Sequence, residues 1–230
     1  MPTPWFPSRW PPQDPDLIQL YTMNTPNGQK VSVCLEEMGL AYEPHTINIL
    51  KNDQFDADYL KLSPNGKIPA MLDPHGPEGE PLLLMESIVI LQYLAEKTGQ
   101  FFPKTYRARL DAQQWLVFQA AHIGPMFGQF GHFYVFAKSK TTDTYAKDRY
   151  LNETKRLLKV LETRLLDRDY IMGDYSIVDM SIVPWVEGLV DFYKAADVLE
   201  IDSLQHLNAW RKRVTARPAY QRGKYVGQLS

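Results

Sequence analysis

At 230 residues with 44% hydrophobic residues, the chain is long enough for one large or two modest domains with a real core. A formal net charge of -2, with both signs mixed along the chain, gives no electrostatic basis for a nucleic acid or an anionic membrane as partner. The five His lack ligand spacing, so no metal is expected; the single Cys34 excludes an internal disulfide framework and suits a reducing compartment; and no membrane-length apolar run or basic-then-apolar leader is present, which makes a cytoplasmic protein the expectation.

Residues 1–16, MPTPWFPSRWPPQDPD, hold six prolines and three large aromatics. They cannot form helix and are expected to run extended, either as a free tail or docked through Trp5, Phe6 and Trp10. From Leu17 the signals alternate: strand-like LIQLYT, helix-like GQKVSVCLEEMGL ended by Gly39, strand-like EPHTINIL, and a short helix in DQFDADYLKLS. Then come IPAML and PLLLM, joined by the turn-rich DPHGPEGEP as in a hairpin, and a helix over 86–98. This βαβ then αββα order describes a thioredoxin-like layer over 17–99.

After a linker at 99–107 the pattern is helical: amphipathic stretches at 106–138, 144–167 and 177–191, and a shorter one near 203–216, make an all-α domain over 106–224. Within it, GDYSIVDMSIVPWV carries a capping box between Ser176 and Asp179, with Tyr175 and Met180 placed for a hydrophobic staple. Cys34, flanked by Val33 and Leu35, reads as a buried, inert thiol.

A thioredoxin-like layer, then SPNGKIPAMLD, then ES opening a helix, then an all-helical domain with S-x-x-D resembles the cytosolic glutathione transferase family, from residue 17 onward. TPNGQKVSVCLEE, DQFDADYLKLSPNGKIPA, LMESIVILQYLAEKTG and GPMFGQFGHF look like its Nu class, also called Ure2-like, whose members are glutathione-dependent disulfide-bond oxidoreductases. The fold implied is a thioredoxin-like N-terminal domain followed by an all-helical C-terminal domain, in a homodimer binding one or two glutathiones per subunit and no metal.

The resemblance also gives the residues roles. Where a redox relative places Cys-x-x-Cys, this chain has Thr25-Pro26-Asn27-Gly28, so the sulfur must come from the ligand; Thr25 and Asn27 are then the sulfur contacts and the catalytic pair. The same residue types also make an ordinary capped turn. Ile68-Pro69 is implied to be cis, turning the Ile68 backbone toward the cysteinyl part of glutathione. Glu86 and Ser87 would take the γ-glutamyl ammonium and α-carboxylate, and equally suit a helix cap. Gln54 and Lys67 resemble contacts to the glycyl end, and Arg149 an arginine that reaches the neighbouring subunit's glutathione; a solvated lysine and a surface arginine are the plainer readings.

Gly124, Gly128 and Gly131, among Pro125, Met126, Phe127, Phe130 and Phe133, suit close helix packing or a wall of the second-substrate site. The activity implied is reduction of small disulfides by the thiolate of bound glutathione. The alternatives are conjugation or ether cleavage at carbon by the same thiolate, and a glutathione-binding regulator without turnover.

Overall fold

The computed structural model describes residues 5–229. They fall into two compact units: the chain up to Gln100 together with the segment beginning at Pro218, and Phe101–Arg217.

The first unit is built on a four-stranded sheet. Strands β1 (Ile18–Thr22), β2 (Tyr42–Thr46), β3 (Ala70–Asp73) and β4 (Leu82–Met85) lie in the order β2-β1-β3-β4. β1 runs parallel to β2 and antiparallel to β3, which pairs antiparallel with β4. The parallel pair needs a crossover, which α1 (Pro26–Met38) supplies. α1 starts where Pro26 occupies a position whose N–H would be orphaned anyway, and ends at Gly39, left-handed at φ 64. β1 and β3 are buried along their whole length, whereas β4 alternates, as an edge with one covered face should.

A turn at 53–55 and α2 (Ala57–Leu62) lead into β3, and α3 (Ser87–Thr98) follows β4. The buried Asp73 ties the hairpin to α3, accepting from Tyr93 Oη and Lys97 Nζ, each at 2.7 Å. A last short helix, α9 (Pro218–Gly223), closes on α1 so tightly that a side chain at Gly223 would meet the Val33 backbone at 2.7 Å.

The proline-rich stretch docks. Trp10 meets Tyr59 edge-on at 6.3 Å and, with Phe6, packs on the cluster around Tyr21, Ile47, Tyr59 and Leu72. Polar clamps hold it there: Ser8 to Asp58, Arg9 to Asp53, and the Gln13 and Asp14 N–H groups to the Glu43 carboxylate. Residues 5–16 take turns at Pro7–Trp10 and Asp14–Leu17 where an extended run was expected; residues 1–4 lie outside the described part.

The second unit is helical: α4 (Tyr106–Phe118), α5 (Gly124–Gly131), α6 (Tyr145–Arg164), α7 (Ile177–Glu187) and α8 (Gln205–Thr215). The stretch expected as one helix over 106–138 is α4 and α5 separated by a wide π turn at Gln119–Ile123, with a second at His132–Phe136. Pro125 explains the first: its nitrogen cannot donate to an earlier carbonyl and its ring would strike it, so the chain widens just before it. The glycines serve packing. Gly124 and Gly128 lie against Trp185, and a side chain at Gly131 would overlap the Tyr193 ring. Phe127 and Phe130 are fully buried and Phe133 stacks on Tyr150. No described helix is long and apolar enough to cross a membrane.

The capping box at α7 forms and reaches further than its own turn. Asp179, fully buried, accepts from Ser176 N at 3.0 Å, Ile171 N at 2.9 Å and Trp210 Nε1 at 2.8 Å, joining α7, α8 and the loop before them. Tyr175 lies against Phe101 and Tyr170. Burial pushes the Asp179 carboxyl up to about 6 even against these donors.

Asp179→Ala should therefore cost about 3–5 kcal/mol, because three buried N–H groups and the Ser176 hydroxyl lose their acceptor, and Asp179→Asn less, since one oxygen remains. The raised folded-state value means that the wild type binds its proton more tightly when folded, so it should gain stability over Asp179→Asn as pH falls from about 6 to about 4. Denaturant melts of the three proteins across that range check both statements.

Candidate functional site

The strand register decides which loops meet. Tyr21 of β1 pairs with Ala70 of β3, and Ala70 with Met85 of β4. Three segments therefore leave adjacent strands at the same end of the sheet: the turn Met23–Asn27, the stretch Lys67–Pro69 entering β3, and Glu86–Ser87 opening α3. Residues scattered over sixty positions of sequence meet in one row.

The turn after β1 is shaped by a close approach. Thr25 is the N-cap of α1, extended at φ -132 and ψ 163, and its Oγ1 accepts from the Gly28 N–H at 3.2 Å. Thr25 and Asn27 are both half-buried. A side chain on Gly28 would overlap the Met23 carbonyl and come within 2.5 Å of Thr22 Oγ1, so only glycine lets the helix start this close to the strand end. Gln29 Nε2 reaches back to Asn24 Oδ1 at 2.6 Å, and Asn24 N donates to Gly227 O at 3.0 Å, which fixes the loop from both sides.

The Ile68-Pro69 bond is cis, as the family resemblance implied. Pro69 is buried and Ile68 half-buried, while the Lys67 carbonyl is held by Tyr59 Oη at 2.8 Å and the Lys67 side chain is exposed. Gln54 lies beside this stretch: its carbonyl is 3.4 Å from where a side chain on Gly66 would begin. Its Oε1 is buried with no partner among the described residues. An orphaned acceptor at the mouth of a loop cluster is costly unless a ligand or water meets it.

Glu86 sits at φ 69 and ψ 105, a conformation L-residues rarely take. Such a residue stores of order 1–3 kcal/mol, retained where the surroundings impose it. The conformation leaves the Glu86 side chain exposed beside the helix N-terminus. Ser87, the first residue of α3, is buried, and its Oγ accepts from Lys30 Nζ at 3.2 Å.

Lys30 was missed from the sequence. It is only 2% exposed, on the first turns of α1. A lysine in GQKVSVCLEE reads as solvated, yet two signals were available: the residues at i-4, i+3 and i+4 are Pro26, Val33 and Cys34, which offer no carboxylate, and apolar or small residues surround it. Burial pushes its ammonium down to about 7, with the Glu86 carboxylate opposing.

Arg149 belongs to the other unit. It is exposed on α6, lining an open groove with His122, Met126, Asp148 and Glu153. The expected sites in the first unit, Thr25, Asn27, Gln54, Lys67, Ile68, Pro69, Glu86 and Ser87, gather at one end of the sheet. Cys34 lies in the middle of α1, fully buried, its thiol pushed far up by burial and with Met38 Sδ at 3.7 Å. No group of His, Cys, Asp or Glu among the described residues is arranged to hold a metal.

Gly28→Ala should displace the start of α1 and destabilise the protein by about 2 kcal/mol or more, since backbone must move to admit the methyl group. A thermal melt beside Gly39→Ala, where a side chain meets nothing within 4 Å, separates this clash from the ordinary cost of a left-handed residue.

Residues 25–97 match the family model described as glutathione S-transferase, N-terminal domain, and residues 121–218 the glutathione S-transferase C-terminal domain. Among curated proteins, the disulfide-bond oxidoreductase YghU of Escherichia coli (strain K12) is 40% identical over 223 residues, covering 93% of this chain and 76% of that protein. The disulfide-bond oxidoreductase YfcG of the same strain is 40% identical over 216 residues, covering 93% and 97%. A glutathione transferase from Pseudomonas putida, with one glutathione disulfide bound per subunit, superposes with a TM-score of 0.92 at 47% identity, covering 94% of each chain. A glutathione transferase family member from Pseudomonas fluorescens, with two glutathione bound, gives 0.93 at 47% identity, covering 95% and 96%.

Proposed function

We propose, for a chain that belongs to the glutathione S-transferase family, that it is a glutathione-dependent disulfide-bond reductase of the Nu class. The observation that carries the reading is the place of sulfur. The turn where a redox relative holds its cysteines offers Thr25 and Asn27 instead, and the chain's one cysteine is sealed inside α1. Disulfide chemistry at this turn needs a thiol carried by the ligand.

A free thiol titrates near 8.5, and the thiolate is the nucleophile. The N-terminus of α1 favours a negative charge, and hydroxyl or amide donors add to that. Thr25 Oγ1 can cap and donate together: a lone pair takes the Gly28 N–H, which leaves the hydroxyl hydrogen for a sulfur in front of the turn. A lowering by roughly two units makes thiolate the majority form at neutral pH.

On this reading the cysteinyl backbone of glutathione pairs with Ile68, its γ-glutamyl end meets Glu86 and Ser87, and its glycyl end meets Gln54 and Lys67. The thiolate attacks one sulfur of a small disulfide, forming a mixed disulfide and expelling the other sulfur as a thiolate that takes up a proton. A second glutathione thiolate attacks the glutathione sulfur of the mixed disulfide, giving glutathione disulfide and the second substrate thiol. Two thiols are oxidised and one disulfide reduced. The protein acts as a homodimer in which Arg149 reaches the neighbouring subunit's glutathione.

Turnover of 2-hydroxyethyl disulfide with glutathione should far exceed conjugation of chlorodinitrobenzene. Thr25→Ala and Asn27→Ala should each lose about 10–100-fold, the worth of one hydrogen bond to a charged group, while Thr25→Ser retains activity. Dominant conjugation, or glutathione binding with neither turnover, would overturn the reading in favour of carbon chemistry or a regulator.

The Cys34 thiol should be silent to Ellman's reagent in the folded protein and react fully in denaturant, and Cys34→Ala should keep disulfide turnover within about twofold. Loss of turnover with Cys34 would mean that the protein's own sulfur takes part.

A further inference from the structure

We infer that Lys30 is a positioning residue for the glutathione α-carboxylate: its ammonium, held beneath the start of α3, orients Ser87 and supplies the positive charge that this carboxylate meets. The inference rests on the proposed glutathione reading and deepens it at one end of the ligand.

In its charged form Lys30 Nζ can only donate, so at 3.2 Å it occupies a lone pair of Ser87 Oγ. The Ser87 hydroxyl hydrogen must then point elsewhere, and the carboxylate expected at the N-terminus of α3 is an acceptor that takes it. The lysine thus turns a serine that could serve as donor or acceptor into a donor toward the ligand.

Glu86 stands one residue from Ser87 with its side chain exposed, suited to an ammonium. A zwitterionic γ-glutamyl end has both charges on one carbon, so the protein needs a cation close to Glu86 but on the opposite side of it. Lys30 comes from α1 and Glu86 from the β4–α3 junction, so neither element supplies both charges. On the α9 side of α1, Arg222 is engaged with Glu36 at 2.6 Å. Glu86 is the charge that acts on Lys30.

Burial holds the Lys30 ammonium down at about 7, so near neutrality a share of the free protein carries a neutral amine. A carboxylate arriving one hydroxyl away favours the charged form, and Lys30 then takes a proton from solvent as the ligand binds. A lysine kept only for packing makes no such exchange.

The test uses S-methylglutathione, which keeps the γ-glutamyl end and has no thiol to ionise. Titration calorimetry at pH 7.5 in buffers of different ionisation enthalpy should show uptake of roughly half a proton or more per site by the wild type. Uptake should vanish in Lys30→Met, which replaces a buried charge by an apolar chain of similar length and should fold. In disulfide turnover, Lys30→Met should raise KM for glutathione about tenfold or more with kcat within about twofold. Binding without proton uptake by the wild type, proton release, or a Lys30→Met variant that binds as tightly as wild type would overturn the inference and leave the functional reading standing. A wild type that binds neither glutathione nor S-methylglutathione would overturn both.

Discussion

The pairing of Tyr21 with Ala70 and of Ala70 with Met85 is the constraint on which the site depends. A strand has a period of two, so a one-residue slip of β3 would exchange the side chains on its two covered faces and also carry the cis Ile68-Pro69 bond away from the end of β1. Burial of every residue of β1 and β3 fixes the register far more firmly than the loops themselves could. The core thus does the positioning, and the loop residues are left free to be polar, strained or unpartnered.

That freedom is visible in how the strain is distributed. Glu86 at φ 69 and the orphaned Gln54 Oε1 are each unfavourable by themselves, yet both stand at the same end of the sheet. Two helices, α1 and α3, begin there, and each helix N-terminus presents N–H groups and partial positive charge. On the proposed reading the two dipoles divide one ligand between them, α1 facing the sulfur and α3 the α-carboxylate. Lys30 links the two, because it is rooted in the first helix and donates to the first residue of the second.

Much of this was legible in the sequence because it is local. Strand and helix signals in the first unit fell within a few residues of the observed elements, the hairpin and capping box formed, the Ile68-Pro69 bond is cis, and Thr25 and Glu86-Ser87 stand at the openings of α1 and α3. What escaped notice is not local. The break between α4 and α5 depends on Pro125 acting upstream of itself, and α9 is too short to carry a period of its own. The docking of 5–16 turns on carboxylates at Glu43, Asp53 and Asp58 that no spacing rule connects to Gln13, Arg9 and Ser8. Lys30 shows this best: its helical neighbours in the sequence offer it no carboxylate, and Ser87, to which it donates, lies fifty-seven positions away.

A turn without cysteine also alters what governs the redox chemistry. In a dithiol protein the reduction potential belongs to the fold, which sets the stability of its own disulfide. Here the only protein thiol is buried and held protonated, so the fold has no disulfide of its own to poise. On the proposed reading the driving force is set by the glutathione pool and the substrate disulfide, while the protein acts only on rate, through the fraction of bound thiol that is ionised and the approach of the second sulfur. On that reading, selection acts on the donors that face a borrowed sulfur, Thr25 and Asn27, and on Lys30 at the α-carboxylate end of the ligand, whereas in a dithiol protein it conserves a pair of cysteines.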